Sequence, residues 1–550
     1  MDASRGEIPD RKHQPSRRSA LAPPQRTNPW GVVRQNVSIF ALIFTALFIA
    51  HAPLLRLPYF WDEAGYFIPA ARDLLLTRSL IPHTTLSNAH PPLVMLWLAF
   101  WWKFSAFTPA VTRFAMLLIA SFTLLGVWRL AGRVANPQVA AATVFCTALY
   151  PVFFAQSALA QLDMLAAGFT IWGVYMYVGQ RTIPALVLFA LAPLAKETAL
   201  IAPLALMAWE TVCPRLRIRT PPDETLCIRS EPPWRSLVWL VCAIPLACWL
   251  GYHKHTTGFL FGNPEYLRYN LAATLHPLRI VLSMLIRLWQ ISGYLNLVVL
   301  TLGAAYAISQ PPLKDIDGAT RKRIPINVQL VFGLVILTYI VTFSIVGGAM
   351  LGRYLLPVYP LIILLCVSTL RRRIRRWWWW IAGAAAGFVF ALFIPPPYRV
   401  SPEDTLLYRD YVILHKTAAN ELSTRFPHAR VLTAWPSSDE LTRSYLGYVK
   451  QPLQVLRIES FSDLEMLRAS HATDQFDIAL LFSTKWEPPH PFSRLPFGRA
   501  LHERFFDYHE DMNPQRAAAL LGGRVVDYRN RNNEWVAIIA IERVENASMR

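Results

Sequence analysis

Roughly the first 400 residues of the chain consist of apolar runs separated by short basic segments. A helix needs about 20 apolar residues to cross the hydrocarbon core of a bilayer, and the runs approach or reach that length. We predict a polytopic α-helical membrane protein with about eleven transmembrane helices. The predicted spans lie at about 37–57, 109–131, 138–156, 163–180, 183–195, 198–212, 236–252, 292–308, 327–346, just before 370, and at 381–395. A partly amphipathic stretch at 277–290 is not counted as a span.

Beyond residue 395 the apolar runs stop, and helical and strand-like patterns alternate in a segment of ordinary soluble composition. Short apolar or alternating runs predict strands, and a 3.6-residue apolar period predicts helices. The predicted strands lie at 430–434, 453–458, 477–482, 525–528 and 535–541, and the predicted helices at 405–425, 439–446 and 463–470. This alternation predicts a small soluble α/β domain.

Arginine and lysine cluster between the apolar runs, and their placement predicts the orientation of the chain. Cytoplasmic loops are enriched in basic residues, and the segment 371–376, Arg-Arg-Arg-Ile-Arg-Arg, is the strongest such marker here. Residues 1–36 are polar, basic and rich in proline, which predicts a disordered cytoplasmic tail. Residues 37–395 then form the transmembrane domain with its first outer loop at 58–108. Residues 396–550 are expected outside the cytoplasm, on a bacterial inner membrane.

The composition narrows the function classes. Hydrophobic residues make up 54% of the 550 and charged residues only 16%, a lower charged share than soluble proteins usually have. The net charge of +19 resides in the basic loops, so we expect contact with membrane lipids and no binding of nucleic acid. The six cysteines are scattered, which predicts neither a disulfide framework nor a zinc site.

Charged residues near the ends of spans are candidates for chemistry, because charge at membrane depth is costly and usually functional. The charge bias places eight of them on the outer face: Asp62, Glu63, His90, Asp163, Lys196, Glu197, His255 and Arg353. Each also has a structural interpretation. The pair Asp62 and Glu63 suits a solvated loop, Asp163 suits a helix N-cap, and Lys196 and Arg353 suit snorkelling to lipid headgroups.

Five short segments carry a family resemblance. They are 61–66 (Trp-Asp-Glu-Ala-Gly-Tyr), 90–93 (His-Pro-Pro-Leu), 162–164 (Leu-Asp-Met), 194–198 (Leu-Ala-Lys-Glu-Thr) and 353–357 (Arg-Tyr-Leu-Leu-Pro). In this order, on one face of the membrane, they resemble the polyprenyl-phosphate-sugar-dependent membrane glycosyltransferases of the GT-C fold. The sequence is most similar to the branch with the protein O-mannosyltransferases and the aminoarabinose transferases (families 39 and 83). The resemblance covers residues 1–395, and beyond them only the plan of a soluble outer domain is shared.

The resemblance implies transfer of a sugar from a polyprenyl-phosphate donor to an acceptor on the outer face, with inversion at the anomeric carbon. The donor already carries a phosphate leaving group, so the reaction needs a base for the acceptor hydroxyl and cations for the departing phosphate. By this resemblance Asp62 is the base, and Lys196 and Arg353 hold the phosphate. Glu63 and Asp163 position the acceptor, the donor or a divalent ion.

Four further residues are implied in substrate binding: His90, Glu197, Tyr266 and Tyr354. His90 is a candidate for binding phosphate, metal or acceptor, and Tyr266 for a mobile lid with His255 and Tyr269. Some relatives carry an arginine in the outer turn before the fourth span, whereas residues 158–161 supply none. The resemblance leaves open the sugar, the acceptor, which is a lipid, a glycan or a protein, and whether a divalent cation is bound.

Two other functions fit the same pattern. A transporter or lipid carrier also places ionisable residues along a substrate path, but these charges gather at one face and the sequence has no repeated halves. A membrane-anchored assembly protein would use the outer α/β domain to bind a partner. Label moving from a polyprenyl-phosphate sugar to an acceptor would indicate a transferase, and movement of unmodified lipid would indicate a carrier.

The predicted orientation is testable with reporter fusions. Alkaline phosphatase is active only outside the cytoplasm, so fusions after residues 62 and 353 should both be active and a fusion within 371–376 should be inactive. Activities that place residues 62 and 353 on opposite sides of the membrane would contradict the single outer site.

Overall fold

The computed structural model describes residues 29–216, 233–262, 274–315, 317–485, 496–506 and 510–541. Its membrane part contains fifteen α-helices in the described ranges. They are α1 (Pro29–His51), α2 (Ile68–Thr77), α3 (Leu93–Phe104), α4 (Pro109–Val134), α5 (Pro137–Leu149), α6 (Pro151–Ala158), α7 (Asp163–Val178), α8 (Thr182–Ala195), α9 (Ile201–Leu216), α10 (Ile244–Thr257), α11 (Pro277–Ser292), α12 (Val298–Ile308), α13 (Ile326–Ile345), α14 (Tyr359–Arg373) and α15 (Trp377–Phe393).

The chain is a multi-pass membrane protein. Among the described residues five helices have the length and composition of a span, at 30–54, 109–134, 234–257, 277–296 and 326–345. A sixth is added if α5 and α6, which are bent by 68° at a proline, count as one span. Shorter apolar helices are α3, α8, α12 and α15. The expected number of eleven is therefore not confirmed, because several of the apolar helices are shorter than a bilayer is thick.

The structure corrects one predicted boundary, at the start of the first span, and one predicted assignment, at 277–290. Helix α1 begins at Pro29, so residues 29–36 are helical and not part of a disordered tail. Trp30, Val32 and Val33 extend the apolar pattern toward the N-terminus, and proline is tolerated in a first helical turn, where its missing N–H costs nothing. The rest of the predicted tail lies outside the described residues. The stretch at 277–290 was set aside as amphipathic, but as α11 it belongs to a helix that is apolar enough to span.

Helix α11 is amphipathic, with its polar face buried and its apolar face exposed, the reverse of a helix on the surface of a soluble protein. Arg279, Ser283, Arg287 and Gln290 are buried, whereas Leu278, Val281, Leu285, Leu288 and Trp289 are exposed. The buried polar residues follow one another at spacings of four, four and three, so they form one stripe along the helix. The apolar face is therefore directed toward lipid and the polar face toward the interior of the protein.

The C-terminal part is an α/β domain, as predicted. Its helices are α16 (Leu407–Arg425), α17 (Ser437–Thr442), α18 (Asp463–Ser470), α19 (Pro496–Phe505) and α20 (Pro514–Leu521), and its strands are β1 (Arg430–Ala434), β2 (Gln454–Ile458), β3 (Ile478–Phe482), β4 (Gly523–Arg531) and β5 (Glu534–Ile541). The sheet order is β2-β1-β3-β5-β4. Strands β1, β2 and β3 are parallel, and β5 pairs antiparallel with β3 and β4. Helices α19 and α20 were not predicted.

The α/β domain packs directly on the first outer loop. The hydroxyl of Tyr448 donates to the carbonyl of Tyr59 at 2.9 Å. The ring of Trp435 lies 5.2 Å from that of Trp61 and 5.7 Å from that of Tyr66, measured between centroids. A Cβ atom on Gly65 would lie 2.7 Å from the Trp435 indole. This loop and the α/β domain therefore form one packed interface, which fixes the segment that follows the first span.

Replacing Gly65 by alanine should loosen this interface. The added Cβ atom requires Trp435 to move, and overpacking of this kind costs about 1–3 kcal/mol. We expect a lower thermal midpoint and faster proteolysis of the C-terminal domain in the purified full-length protein. Gly251→Ala is the matched control, because a Cβ at Gly251 meets no atom within 4 Å. Equal stability of the two variants would argue against a tight contact at Trp435.

Candidate functional site

The guanidinium group of Arg353 is the centre of a buried ion cluster at the junction of the two domains. Its Nη2 lies 2.5 Å from Oδ2 of Asp62, and its Nη1 donates to the side-chain oxygen of Gln161. Its Nε lies 3.0 Å from a carboxylate oxygen of Glu403 and 3.9 Å from Oδ2 of Asp163. Nη1 and Nη2 are therefore hydrogen-bonded, whereas Nε, which has no hydrogen-bond partner among the described residues, is paired with Glu403 by charge.

Lys196 extends the cluster through the same aspartate. Its Nζ lies 2.7 Å from Oδ1 of Asp163, and it stands over the ring of Tyr354, 4.2 Å from the centroid. The carboxylate of Asp163 thus bridges the ammonium group of Lys196 and the guanidinium group of Arg353. Two cations and three carboxylates, with Asp62 and Glu403, share one small region.

The backbone that carries Arg353 is held in place by an acid from the C-terminal domain. Arg353 lies in a short helix, Gly352–Leu355. The side chain of Asp404 accepts from the amide of Gly352 at 3.1 Å and from the hydroxyl of Tyr294 at 2.7 Å. A Cβ on Gly352 would lie 2.6 Å from Asp404 Oδ2, so a glycine is needed here. Burial raises the pKa of Asp404 to about 6, against the lowering effect of these two hydrogen bonds.

The loop before Arg353 is fixed by the polar stripe of α11. Arg279 Nη2 donates to the carbonyl of Gly347 at 2.8 Å, and Arg287 Nη1 donates to that of Leu351 at 2.8 Å. Gln290 donates to the carbonyl of Met350 at 2.9 Å. Irregular backbone at membrane depth is tolerated only where protein groups satisfy its polar atoms. The inverted helix supplies those groups for this loop.

Asp62 is the most accessible carboxylate of the cluster. Its side chain is 21% exposed, compared with 5% for Asp163 and 4% for Glu403. It follows Trp61, which has φ of 45°, and it precedes a π-helical turn at Glu63–Phe67. A non-glycine residue with positive φ is uncommon and occurs where the surroundings fix the backbone. The turn directs adjacent carboxylates, Asp62 and Glu63, to different partners.

Glu63 does not join this cluster. Its carboxylate is fully buried and pairs with Arg113, at 2.9 Å between Oε2 and Nη2. The amides of Phe60 and Ala160 also donate to it. All these contacts hold the turn that presents Asp62. Glu63 thus contacts Arg113 and the backbone of the turn, and its predicted role in positioning the acceptor, the donor or a divalent ion stays a prediction.

His90 and Glu197 form a second pair beside the cluster. Nδ1 of His90 lies 3.0 Å from Oε2 of Glu197, and Glu197 directly follows Lys196 in the chain. His90 also lines a small pocket of about 30 Å³ whose walls include Tyr66, Phe67, Ser87, Asn88 and Trp249. Because Glu197 directly follows Lys196, the His90–Glu197 pair adjoins the ion cluster.

Only part of the predicted lid, formed by His255, Tyr266 and Tyr269, lies within the described residues. Tyr266 and Tyr269 lie outside the described residues. His255 is exposed near the end of α10, and the histidine that turns inward is His253, which bonds to Ser87 at 2.8 Å. A lid formed by these residues stays a prediction.

Four residues of the site were not predicted from the sequence: Arg113, Gln161, Glu403 and Asp404. The turn at 158–161 lacks an arginine but supplies Gln161 to Arg353 and the amide of Ala160 to Glu63. Glu403 and Asp404 repeat the signal of Asp62 and Glu63, because they too are adjacent acids shortly after an apolar run. Arg113 and Gln161 carry no such signal, since a single polar residue in or beside an apolar helix identifies no partner.

The resemblance left open whether a divalent cation is bound. Among the described residues no group of three or more His, Cys, Asp or Glu side chains is arranged to hold a metal ion. The carboxylates of Asp62, Asp163 and Glu403 instead face Arg353 and Lys196.

Solved structures share this architecture. The structure of ArnT from Cupriavidus metallidurans in the apo state matches with a TM-score of 0.50 at 13% identity, covering 92% of this chain and 98% of that one. The chain has the GT-C fold. The same protein bound to undecaprenyl phosphate matches with a TM-score of 0.49 at 14% identity, covering 93% and 98%. An oligosaccharyltransferase from Archaeoglobus fulgidus, in complex with Zn and sulfate, matches at 0.43 with 12% identity, covering 81% and 67%.

No protein-family model matches the sequence, and no curated protein matches it significantly. The likeness at the level of structure rests on the apo ArnT comparison, and it establishes the fold. Any inference about activity therefore depends on the residues of the cluster.

Glu63→Gln should destabilise the protein. The substitution leaves the charge of Arg113 buried without its counterion, which costs about 3–5 kcal/mol. Thermal unfolding of the full-length protein in detergent measures the loss. The double variant with Arg113→Met as well should recover part of it, because no uncompensated charge remains. If Glu63→Gln unfolds at the wild-type temperature, Glu63 does not support the turn.

Proposed function

We propose that this protein is a membrane glycosyltransferase that moves a sugar from a polyprenyl-phosphate-linked donor to an acceptor at the outer face of the membrane. The observation that carries the proposal is the convergence of Asp62, Asp163, Lys196 and Arg353 from four distant segments into one ion cluster. An accessible carboxylate beside two buried cations is the arrangement that transfer from a lipid phosphate requires. The GT-C fold supports the same class of reaction.

In the proposed reaction Asp62 takes the proton of the acceptor hydroxyl. The acceptor oxygen forms a bond to the anomeric carbon while the bond from that carbon to the phosphate oxygen breaks. The electron pair leaves with the phosphate, whose growing charge is stabilised by Lys196 and Arg353. Attack occurs on the face opposite the phosphate, so the anomeric configuration inverts.

The contact between Asp62 and Arg353 adds a condition to this mechanism. Asp62 Oδ2 lies 2.5 Å from Nη2 of Arg353, where a donor phosphate would also bind. A donor phosphate on the Nη2 side of Arg353 would displace Asp62, while Gln161 would keep the guanidinium in place through Nη1. Donor binding would thereby release the Asp62 carboxylate to face the acceptor hydroxyl.

The remaining predicted residues have compatible positions in this scheme. Lys196 supplies a point charge to the phosphate, and the Tyr354 ring beneath it limits its movement. His90 and Glu197, which pair beside Lys196, are proposed to contact the sugar of the donor. The proposed orientation places these residues and the α/β domain outside the cytoplasm of a bacterial inner membrane.

Asp62→Asn should abolish sugar transfer while leaving the protein folded. Loss of a general base lowers the rate by about 10²–10⁴-fold. Membranes containing the full-length variant would be supplied with radiolabelled polyprenyl-phosphate sugars, and label in the acceptor fraction would be counted. Asp463→Asn is the control, because Asp463 is an exposed acid of the outer domain.

Two outcomes would contradict this assignment. Transfer by Asp62→Asn at more than a tenth of the wild-type rate would remove Asp62 from the role of base. Retention of the donor's anomeric configuration in the product would contradict direct displacement.

A further inference from the structure

The C-terminal domain contributes a carboxylate to the centre of the ion cluster. Glu403 lies in a short helix, Pro402–Asp404, between the last apolar helix and the α/β domain. Its backbone carbonyl accepts from Gln156 Nε2 at 3.0 Å, and its carboxylate lies 3.0 Å from Nε of Arg353. The side chain is 4% exposed. It therefore reaches the guanidinium at Nε, whereas the more accessible Asp62 reaches it at Nη2.

We propose that Glu403 is a positioning residue of the transferase site that competes with the donor phosphate for Arg353, so that the phosphate binds only when Glu403 is neutral. This inference rests on the proposed function, because it assigns a phosphate to Arg353. It extends that function by making the outer domain part of the binding site and by coupling donor binding to uptake of one proton.

The charge count around Arg353 supports the proposal. The groups that face Glu403 are Arg353 from the 352–355 helix, Asp62 from the first outer loop, Asp163 from α7 and Asp404 from its own short helix. Lys196 reaches the same region through Asp163. A bound phosphodiester adds a further negative charge to a region in which the acids already outnumber the cations. Neutralising Glu403, whose carboxylate lies 3.0 Å from Nε of Arg353, removes one of these negative charges from the guanidinium that would bind the phosphate.

The proton affinity of Glu403 fits this role. Burial raises the pKa of Glu403 to about 8, with the charge of Arg353 opposing the rise and the nearby acids adding to it. The carboxyl group is therefore mainly protonated below pH 8 and ionised above it. Because ionised Glu403 opposes the phosphate, affinity for the donor should be full near pH 7 and should fall as the pH rises through 8.

The test uses a probe whose own charge does not change with pH. A polyprenyl phosphate methyl diester carries one negative charge throughout the range from pH 6 to 9, unlike a phosphate monoester. Its binding to the purified full-length protein would be measured at several pH values. For the wild type, one linked proton predicts a dissociation constant about tenfold higher at pH 9 than at pH 7.

Three variants separate the proposed role from a structural one. Glu403→Gln removes the titrating group, so its affinity for the diester should vary less than about twofold over the same range and should exceed that of the wild type at pH 9. Glu403→Asp keeps a carboxyl group and should keep a pH dependence. Asp410→Asn is the matched control, because this buried acid of the same domain contacts Arg409, Arg531 and Asn532. It should retain the wild-type dependence.

The outcomes distinguish this inference from the proposed function. Wild-type affinity that is constant between pH 7 and 9 overturns the role of Glu403, whether or not the variants fold. An unchanged pH dependence in Glu403→Gln also overturns it, because another group would then bind the proton. No binding of the diester by the wild type at any pH would instead contradict the donor class, and with it the proposed function.

Discussion

A buried guanidinium group needs negative charge beside it, and the site is built around that requirement at Arg353. An unpaired charge at this depth would cost several kcal/mol, so the segments that reach it are fixed relative to one another. The first outer loop supplies Asp62, the turn before α7 supplies Gln161, and the C-terminal domain supplies Glu403. Four regions distant in sequence are thus aligned by one side chain.

The same requirement ties the α/β domain to the membrane helices. The segment after α15 holds the Arg353 turn through Asp404 and contacts the guanidinium through Glu403, while Trp435 and Tyr448 pack on residues 59–66. The turn that presents Asp62 is therefore supported from two sides, by the Arg113–Glu63 pair and by the ring of Trp435. The segment that leads into the α/β domain thus forms part of the site.

The fold was largely predictable from sequence because its main features have periodic signals. The apolar runs marked most of the helices of the membrane part, and all five strands were found at or near their places. Helix lengths were less predictable, since composition alone does not show where a bent pair such as α5 and α6 breaks. Helices α19 and α20 were missed because they are short and lie in polar sequence.

The site was predictable only where charge stood out against an apolar background. Asp62, Asp163, Lys196 and Arg353 did so, and the structure brings them together. Glu63 carried the same signal as Asp62, but it pairs with Arg113 while Asp62 pairs with Arg353. Gln161 and Arg113 act through partners about 190 and 50 residues away in sequence, and no local pattern reveals such a pairing.

The inverted polarity of α11 has a consequence for the order in which the protein is made. Inserted alone, the helix would expose two arginines to lipid, at a cost of about 2.5–3.5 kcal/mol each at the bilayer centre. The carbonyl groups that receive those arginines belong to residues 347–351, which leave the ribosome only after the whole of α11 has been synthesised. Stable integration of α11 therefore requires a segment that is synthesised later. Until residues 347–351 have been made, the nascent chain contains α11 without the carbonyl groups that its arginines bind in the folded protein.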